Sequence, residues 1–154
     1  MVSMHVGRIC SRRVVTIAPS APLAEVARTM RDQCVGAVVV SEREGAKRVV
    51  RGVLTDRDLV VRVLAVDPAR LAELRAADLL DEPPIVCRER DEVSDALEAM
   101  KRHGIRRMPV LDASGDLSGI VALDDVLRAM ADDMGRIGLL LSTQRMIEAQ
   151  RNED

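Results

Sequence analysis

A chain of 154 residues, 47% of them hydrophobic, is long enough to bury one ordinary core or two small ones without disulfides or metals. Lysine and arginine number 23 against 25 aspartates and glutamates, a net charge of −2 with both signs interspersed, which is not the basic excess of a general nucleic-acid binder. Phe, Tyr and Trp are all absent, so the core must be aliphatic residues and methionine, and a flat ligand would find no aromatic ring to stack on.

Along the chain, Thr16 reads as an ordinary strand residue. Leu23, Val26, Ala27 and Met30 then keep the i, i+3, i+4, i+7 spacing of an amphipathic helix. Residues 35–40 (VGAVVV) are a short β-branched run, the mark of a buried strand. Gly52-Val53-Leu54-Thr55 reads as another strand, running into a helix opened by Asp58, Leu59 and Val60 with Val63 on its apolar face. Residues 67–84, with Asp-Pro at the start and Pro-Pro at the end, read as a connection whose middle, 69–80, is helical.

The series then returns. Val93, Ala96, Leu97 and Met100 repeat the first helix at a shift of 70, and Ile105-Arg106-Arg107-Met108-Pro109-Val110 follows at the same shift. Gly119-Ile120-Val121-Ala122 and Asp125-Val126-Leu127 match at 67, so the loop over 112–116 is three residues shorter and turns at Ser114-Gly115. Each copy reads strand, helix, strand, strand, helix. A unit of about 50 residues is too small to be comfortable alone, so the expected fold is α/β (α+β): two repeated units packed through their sheets. The expected divisions are 6–66 and 82–132 for the units, a partly helical linker over 67–81, and a C-terminal helix over 133–154 without counterpart in the first copy. Ile137, Leu140, Leu141 and Ile147 share one face of that helix. It is expected to pack on its own domain, the alternative being a dimerisation helix; Gly135 and Gly138 weaken its start.

Thr55 and Asp58, three residues apart at a strand-to-helix junction, have two readings. As a cap, the Thr55 hydroxyl accepts from an orphan N–H while Asp58 faces the positive helix end, contributing about 0.5–2 kcal/mol. As a site, the same helix start attracts an anion, Arg57 adds a cation, and Asp58 accepts from a ribose diol. The second copy keeps the aspartate, Asp125, but has Ala122 in place of Thr55, which favours a role for the aspartate beyond capping.

In this order and in two copies, the segments GVLTDRDL, GIVALDDV and IRRMPV resemble the cystathionine β-synthase (CBS) domain as a tandem pair, over nearly all of residues 6–132. The resemblance implies two units related by a pseudo-twofold, often paired again as a homodimer, with clefts that bind AMP, ADP, ATP, NAD or S-adenosylmethionine. In the family pattern the aspartate takes the ribose hydroxyls and the Thr or Ser lies near the phosphates. Gly52, Thr55 and Asp58 match it fully, whereas Gly119 and Asp125 match and Ala122 departs. Thr16 matches a family position near the base, replaced by Val86 in the second copy. Arg106 and Arg107 match basic positions that reach phosphates, replaced by Gly36 and Ala37 in the first. Because family clefts borrow from both units, two unequal sites are implied: Thr55, Arg57 and Asp58, slightly preferred, and Thr16, Arg106, Arg107 and Asp125.

No catalytic motif appears: no Gly-x-Ser-x-Gly elbow, no phosphate loop, no His-Glu-x-x-His, no cysteine with a nearby histidine. His5 and His103 read as surface residues and the eight methionines as core. Cys10, Cys34 and Cys87, odd in number and scattered, fit a reduced, cytoplasmic compartment. No apolar run approaches the roughly 18 residues of a membrane span, and no signal core follows a charged N-terminus. The expected function is therefore not an enzyme's. It is a regulatory, adenosine-nucleotide-binding sensor, AMP, ADP or ATP first and with no required cofactor, acting through module or dimer geometry on a downstream protein reached in trans. The alternative is a ligand-free interaction or dimerisation module. Nucleic-acid binding through Arg102, Arg106 and Arg107 is disfavoured by the net charge.

Overall fold

The repeated pattern folds as two three-stranded sheets backed by helices, described over residues 4–80 and 83–151 in a computed structural model. The boundary placed at 81 and 82 from the sequence, and residues 152–154 of the C-terminal helix, lie outside the described residues. In the first sheet β1 (Thr16–Ile17) runs parallel to β2 (Ala37–Glu44), which is antiparallel to β3 (Lys47–Thr55). In the second, β4 (Cys87–Arg88), β5 (Arg107–Leu111) and β6 (Leu117–Ala122) repeat that order. Even the β-bulge recurs, with one extra residue opposite Val40/Ser41 and opposite Val110/Leu111.

Each sheet buries one face against a helix. Leu23, Val26 and Met30 of α2 (Leu23–Gln33) join Val38, Val40 and Leu54 in one core. Ala96 and Met100 of α5 (Val93–His103) join Met108, Val110 and Val121 in the other. The alternate residues of β2, fully buried Val39 and the buried hydroxyl of Ser41, turn to the opposite face, where β3 meets β5 and β6 of the other unit. The first hairpin clasps the second across this seam: Arg48 N donates to Asp116 Oδ1 (2.6 Å) and Lys47 Nζ to the Ser114 carbonyl (2.7 Å). Gly115, with φ +85°, closes that second turn.

The units also exchange segments. Val6 of the short helix α1 (Val6–Ile9) is buried in the second core, not the first; its N–H donates to Asp91 O, Gly7 N to Glu89 O, and Val93 N to Met4 O, each at 2.9 Å. Seventy residues on, the linker does the same for the first unit, with Ala76 N to Ala21 O (2.8 Å), Ala77 N to Pro19 O (2.9 Å) and Leu23 N to Leu74 O (3.0 Å). That last bond interrupts the helical middle expected over 69–80. Helix α2 has no side-chain N-cap, so Leu74 and Arg75 stay extended to bring a carbonyl to its first N–H. The linker is consequently split into α4 (Arg70–Glu73) and a 3-10 turn (Ala76–Leu79) whose Ala76 and Leu79 enter the first core.

The helix expected from Asp58 begins as α3 (Asp56–Asp58) and continues as a π-helical stretch, Leu59–Leu64, burying Leu59 and Val63. Its counterpart α6 (Leu123–Arg151) is one continuous helix of 29 residues that absorbs the C-terminal segment. The expected packing of that segment on its own domain is overturned: every residue from Met134 to Arg151 is exposed. Helical residues run on without proline, and the second core is already closed by α1, α5 and Val126, so nothing turns the chain back. No helix among the described residues is long and apolar enough to cross a membrane.

Two substitutions probe this packing. A Cβ on Gly119 would lie 2.8 Å from Ser11 O and 2.9 Å from Cys10 Sγ, where Ser11 and Ile120 exchange backbone hydrogen bonds of 2.9 Å in both directions. Gly119→Ala is expected to cost about 1–3 kcal/mol by overpacking, read as a lower denaturation midpoint. Cys34 closes α2 in the left-handed region (φ 53°) where Gly104 closes α5. Cys34→Gly is therefore expected to stabilise by about 1 kcal/mol, raising the melting temperature by roughly 2–4 °C; an unchanged or lower midpoint contradicts it.

Candidate functional site

The two strand-to-helix junctions share an aspartate and differ in what surrounds it. In the first, the Thr55 hydroxyl accepts from Asp58 N (3.2 Å), and Asp58 Oδ2 accepts from both Thr55 N and Thr55 Oγ1, each at 2.8 Å. This is a complete capping box. Asp58 Oδ1 lies 3.9 Å from Arg62 Nη1, which also donates to the Leu79 carbonyl. The carboxylate is thus drawn inward by its own turn, while Arg57 points to solvent.

In the second junction Ala122 removes the hydroxyl. Among the described residues Asp125 Oδ2 accepts only from Ala122 N (2.8 Å), and Oδ1 has the Arg128 guanidinium at 3.5 Å, itself 72% exposed. Beside it opens a cleft of about 300 Å³, at the small end of small-molecule sites. Its walls come from both units: Ser11, Arg13, Val15, Cys34 and Gly36 on one side, Arg107, Ile120, Ala122 and Asp125 on the other. Arg107 makes no ion pair among the described residues, whereas Arg13 donates to Gln33 Oε1 (3.3 Å). A Cβ on Gly36 would meet Asp56 Oδ2 at 3.4 Å and Arg107 Nη1 at 3.8 Å, ordinary contact.

The residues named from sequence are therefore only partly brought together. Arg107 and Asp125 share the cleft. Thr16 does not line it: paired with Val39, it faces the seam between the sheets, where its hydroxyl accepts from Arg48 Nη1 (2.9 Å). Arg106 is exposed and contributes its carbonyl to Leu123 N (2.9 Å) at the start of α6. Thr55, Arg57 and Asp58 lie at the other junction. The described cleft opens beside Asp125, the aspartate of the second copy. Sequence reasoning missed Ser11, Arg13, Val15 and Cys34, and the alternation of β1 was the available clue: if Thr16 faces one way, Val15 faces the other.

The thiols differ by environment. Burial pushes Cys87 up to about 12, its Sγ lying 3.6 Å from the Pro109 carbonyl, and burial also raises Cys10. Cys34 is exposed at the cleft. Among the described residues no three His, Cys, Asp or Glu side chains gather as metal ligands.

Comparison with known proteins agrees with this architecture. The family model of the CBS domain matches residues 6–65 and 76–132. An uncharacterised protein of Methanopyrus kandleri is 36% identical over 128 residues, 83% of this chain and 63% of that protein, so the chain spans less than two thirds of that relative. A CBS-domain containing protein from Agrobacterium tumefaciens superposes with a TM-score of 0.70 at 29% identity, covering 82% of this chain and 98% of its own. A CBS domain pair solved with 5′-methylthioadenosine and S-adenosylmethionine has a TM-score of 0.72 at 19% identity, covering 85% and 98%, and shares the fold. The chain belongs to the CBS-domain family, with two CBS domains packed through their sheets.

Proposed function

We propose that the protein is a regulatory module, not a catalyst, that binds an adenosine-containing nucleotide in the cleft between its units and self-associates as a homodimer. The observation that carries the nucleotide reading is that one cleft is lined both by Asp125, whose Oδ1 takes no backbone bond among the described residues, and by Arg107. A carboxylate can accept both hydroxyls of a ribose, and a guanidinium can take phosphate oxygens two at a time. Arg13 adds a second cation, which favours ADP or ATP over a ligand with a cationic arm. The base would lie against Val15 and Ile120, aliphatic walls in a chain without aromatics. A related pair of the same fold binds two adenosine compounds, which supports the class of ligand without fixing its member. The output would be a change of module or dimer geometry, which requires different affinities for two states.

Thermal melting with AMP, ADP, ATP, NAD and S-adenosylmethionine tests the reading. A ligand at 100 times its Kd stabilises by about 2.7 kcal/mol, a shift of roughly 5–10 °C for a chain of this size. Asp125→Ala is expected to weaken binding at least about tenfold, as loss of charged hydrogen bonds, while Thr55→Ala lowers stability by about 0.5–2 kcal/mol and leaves affinity unchanged. No shift with any of the five, or full affinity in Asp125→Ala, contradicts the proposal. A footprint is independent of stability: Ellman's reagent is expected to react quickly with Cys34 alone, Cys10 and Cys87 lagging, and saturating nucleotide to slow that fast phase. An unprotected Cys34 places the ligand elsewhere.

A further inference from the structure

A charge stands at the edge of the cleft that its walls do not include. Asp56, at the first position of α3, is not among the lining residues. Its backbone is nevertheless tied to one of them, since Asp56 N donates to the carbonyl of Gly36 (3.0 Å). Its carboxylate is held as well. Oδ1 accepts from Arg57 N (2.8 Å), which leaves Oδ2 to face across Gly36 toward the second unit. From the point where a Cβ of residue 36 would stand, Asp56 Oδ2 is 3.4 Å away and Arg107 Nη1 is 3.8 Å away, and the glycine puts no side chain at that point. Neither Asp56 nor Arg107 makes an ion pair among the described residues. Carboxylate and guanidinium therefore face each other from different units without closing.

The duplication confines this acid to one copy. At the second junction the equivalent residue is Leu123, whose N–H donates to the Arg106 carbonyl (2.9 Å) as that of Asp56 does to Gly36. The carboxylate is thus present at the junction that faces the other unit's guanidinium. A phosphate brought to Arg107 would displace Asp56 as the opposing charge and meet its repulsion, whereas a ribose at Asp125 or a base against Val15 would do neither. We infer that Asp56 is a specificity-determining residue of the cleft: its carboxylate competes with ligand phosphate for the Arg107 guanidinium and so opposes each phosphate that Arg107 and Arg13 attract. The inference rests on the nucleotide reading above and names what limits the phosphate charge accepted by that same cleft. Two unit charges about 7 Å apart change a binding constant roughly threefold even at the dielectric constant of water.

Titration calorimetry with ATP, AMP and adenosine on the wild type, Asp56→Asn, Arg107→Gln and the double variant tests it. Asparagine keeps the shape of the side chain and an acceptor for Arg57 N while removing the charge. Asp56→Asn is expected to tighten ATP about threefold or more at low salt, to tighten AMP less, and to leave adenosine unchanged; at high salt most of the ATP gain disappears. Arg107→Gln is expected to weaken ATP about tenfold, and in that background Asp56→Asn yields less than half of its gain, the mark of two residues acting on one another. The readout is the ratio of ATP to adenosine affinity within one variant, which a change in fold stability does not move. An unchanged or lower ratio in Asp56→Asn, or a gain undiminished by Arg107→Gln, overturns the competition and leaves the cleft standing as a nucleotide site. A wild type that binds none of the three overturns both.

Discussion

The reciprocal backbone hydrogen bonds between Ser11 and Ile120 are the constraint on which the rest of the molecule depends. The N-terminal segment caps the second core through Val6 and Ile9, then must cross to the first sheet to supply β1. It can cross only where the second sheet lets a backbone come within hydrogen-bonding reach, and Gly119, lacking a Cβ, is that place. Arg12 secures the crossing: its guanidinium donates to the Gly7 carbonyl and pairs with Glu89, holding that carboxyl below the usual carboxylate range. The crossing strand, from Ser11 to Val15, is one wall of the cleft. The cleft therefore belongs to neither unit alone and exists only because they exchange segments.

That origin explains why duplicated sequence need not make duplicated sites. Both junctions have an aspartate at the third position of a helix, where it accepts a backbone N–H from the residue before the helix. In the first, threonine spends the same carboxylate oxygen on its own hydroxyl as well; in the second, alanine leaves the aspartate with one backbone bond and faces it to a cleft. A side chain that improves the cap thus ties up the group that a ligand would need. The arginines differ likewise, with Arg107 at a strand start where the first copy has Ala37.

Much of this was legible in the sequence. The helices α2 and α5 and the central strands follow from apolar spacing, because burial on one face is what that spacing encodes. Ser114-Gly115 was legible as a turn for the same reason that Gly115 has a positive φ. What was not legible was carried by backbone atoms. The exchange of α1 and the linker rests on main-chain bonds such as Leu23 N to Leu74 O, which no side chain announces. Thr16 was drawn into the site by its place in a pattern, whereas the parity of β1 turns it to the sheet seam. For the C-terminal helix, periodicity states that Ile137 and Leu141 want cover, not whose, and both are exposed.

The central claim is that a nucleotide occupies the cleft between the units on the Asp125 side. A crystal structure of the protein grown with ATP tests it most directly. The account predicts density for a ribose against Asp125, phosphates toward Arg107 and Arg13, and the Thr55–Asp58 box intact. A nucleotide bound at Thr55 and Asp58 with the Asp125 cleft empty, or none bound under saturating ATP, would contradict it.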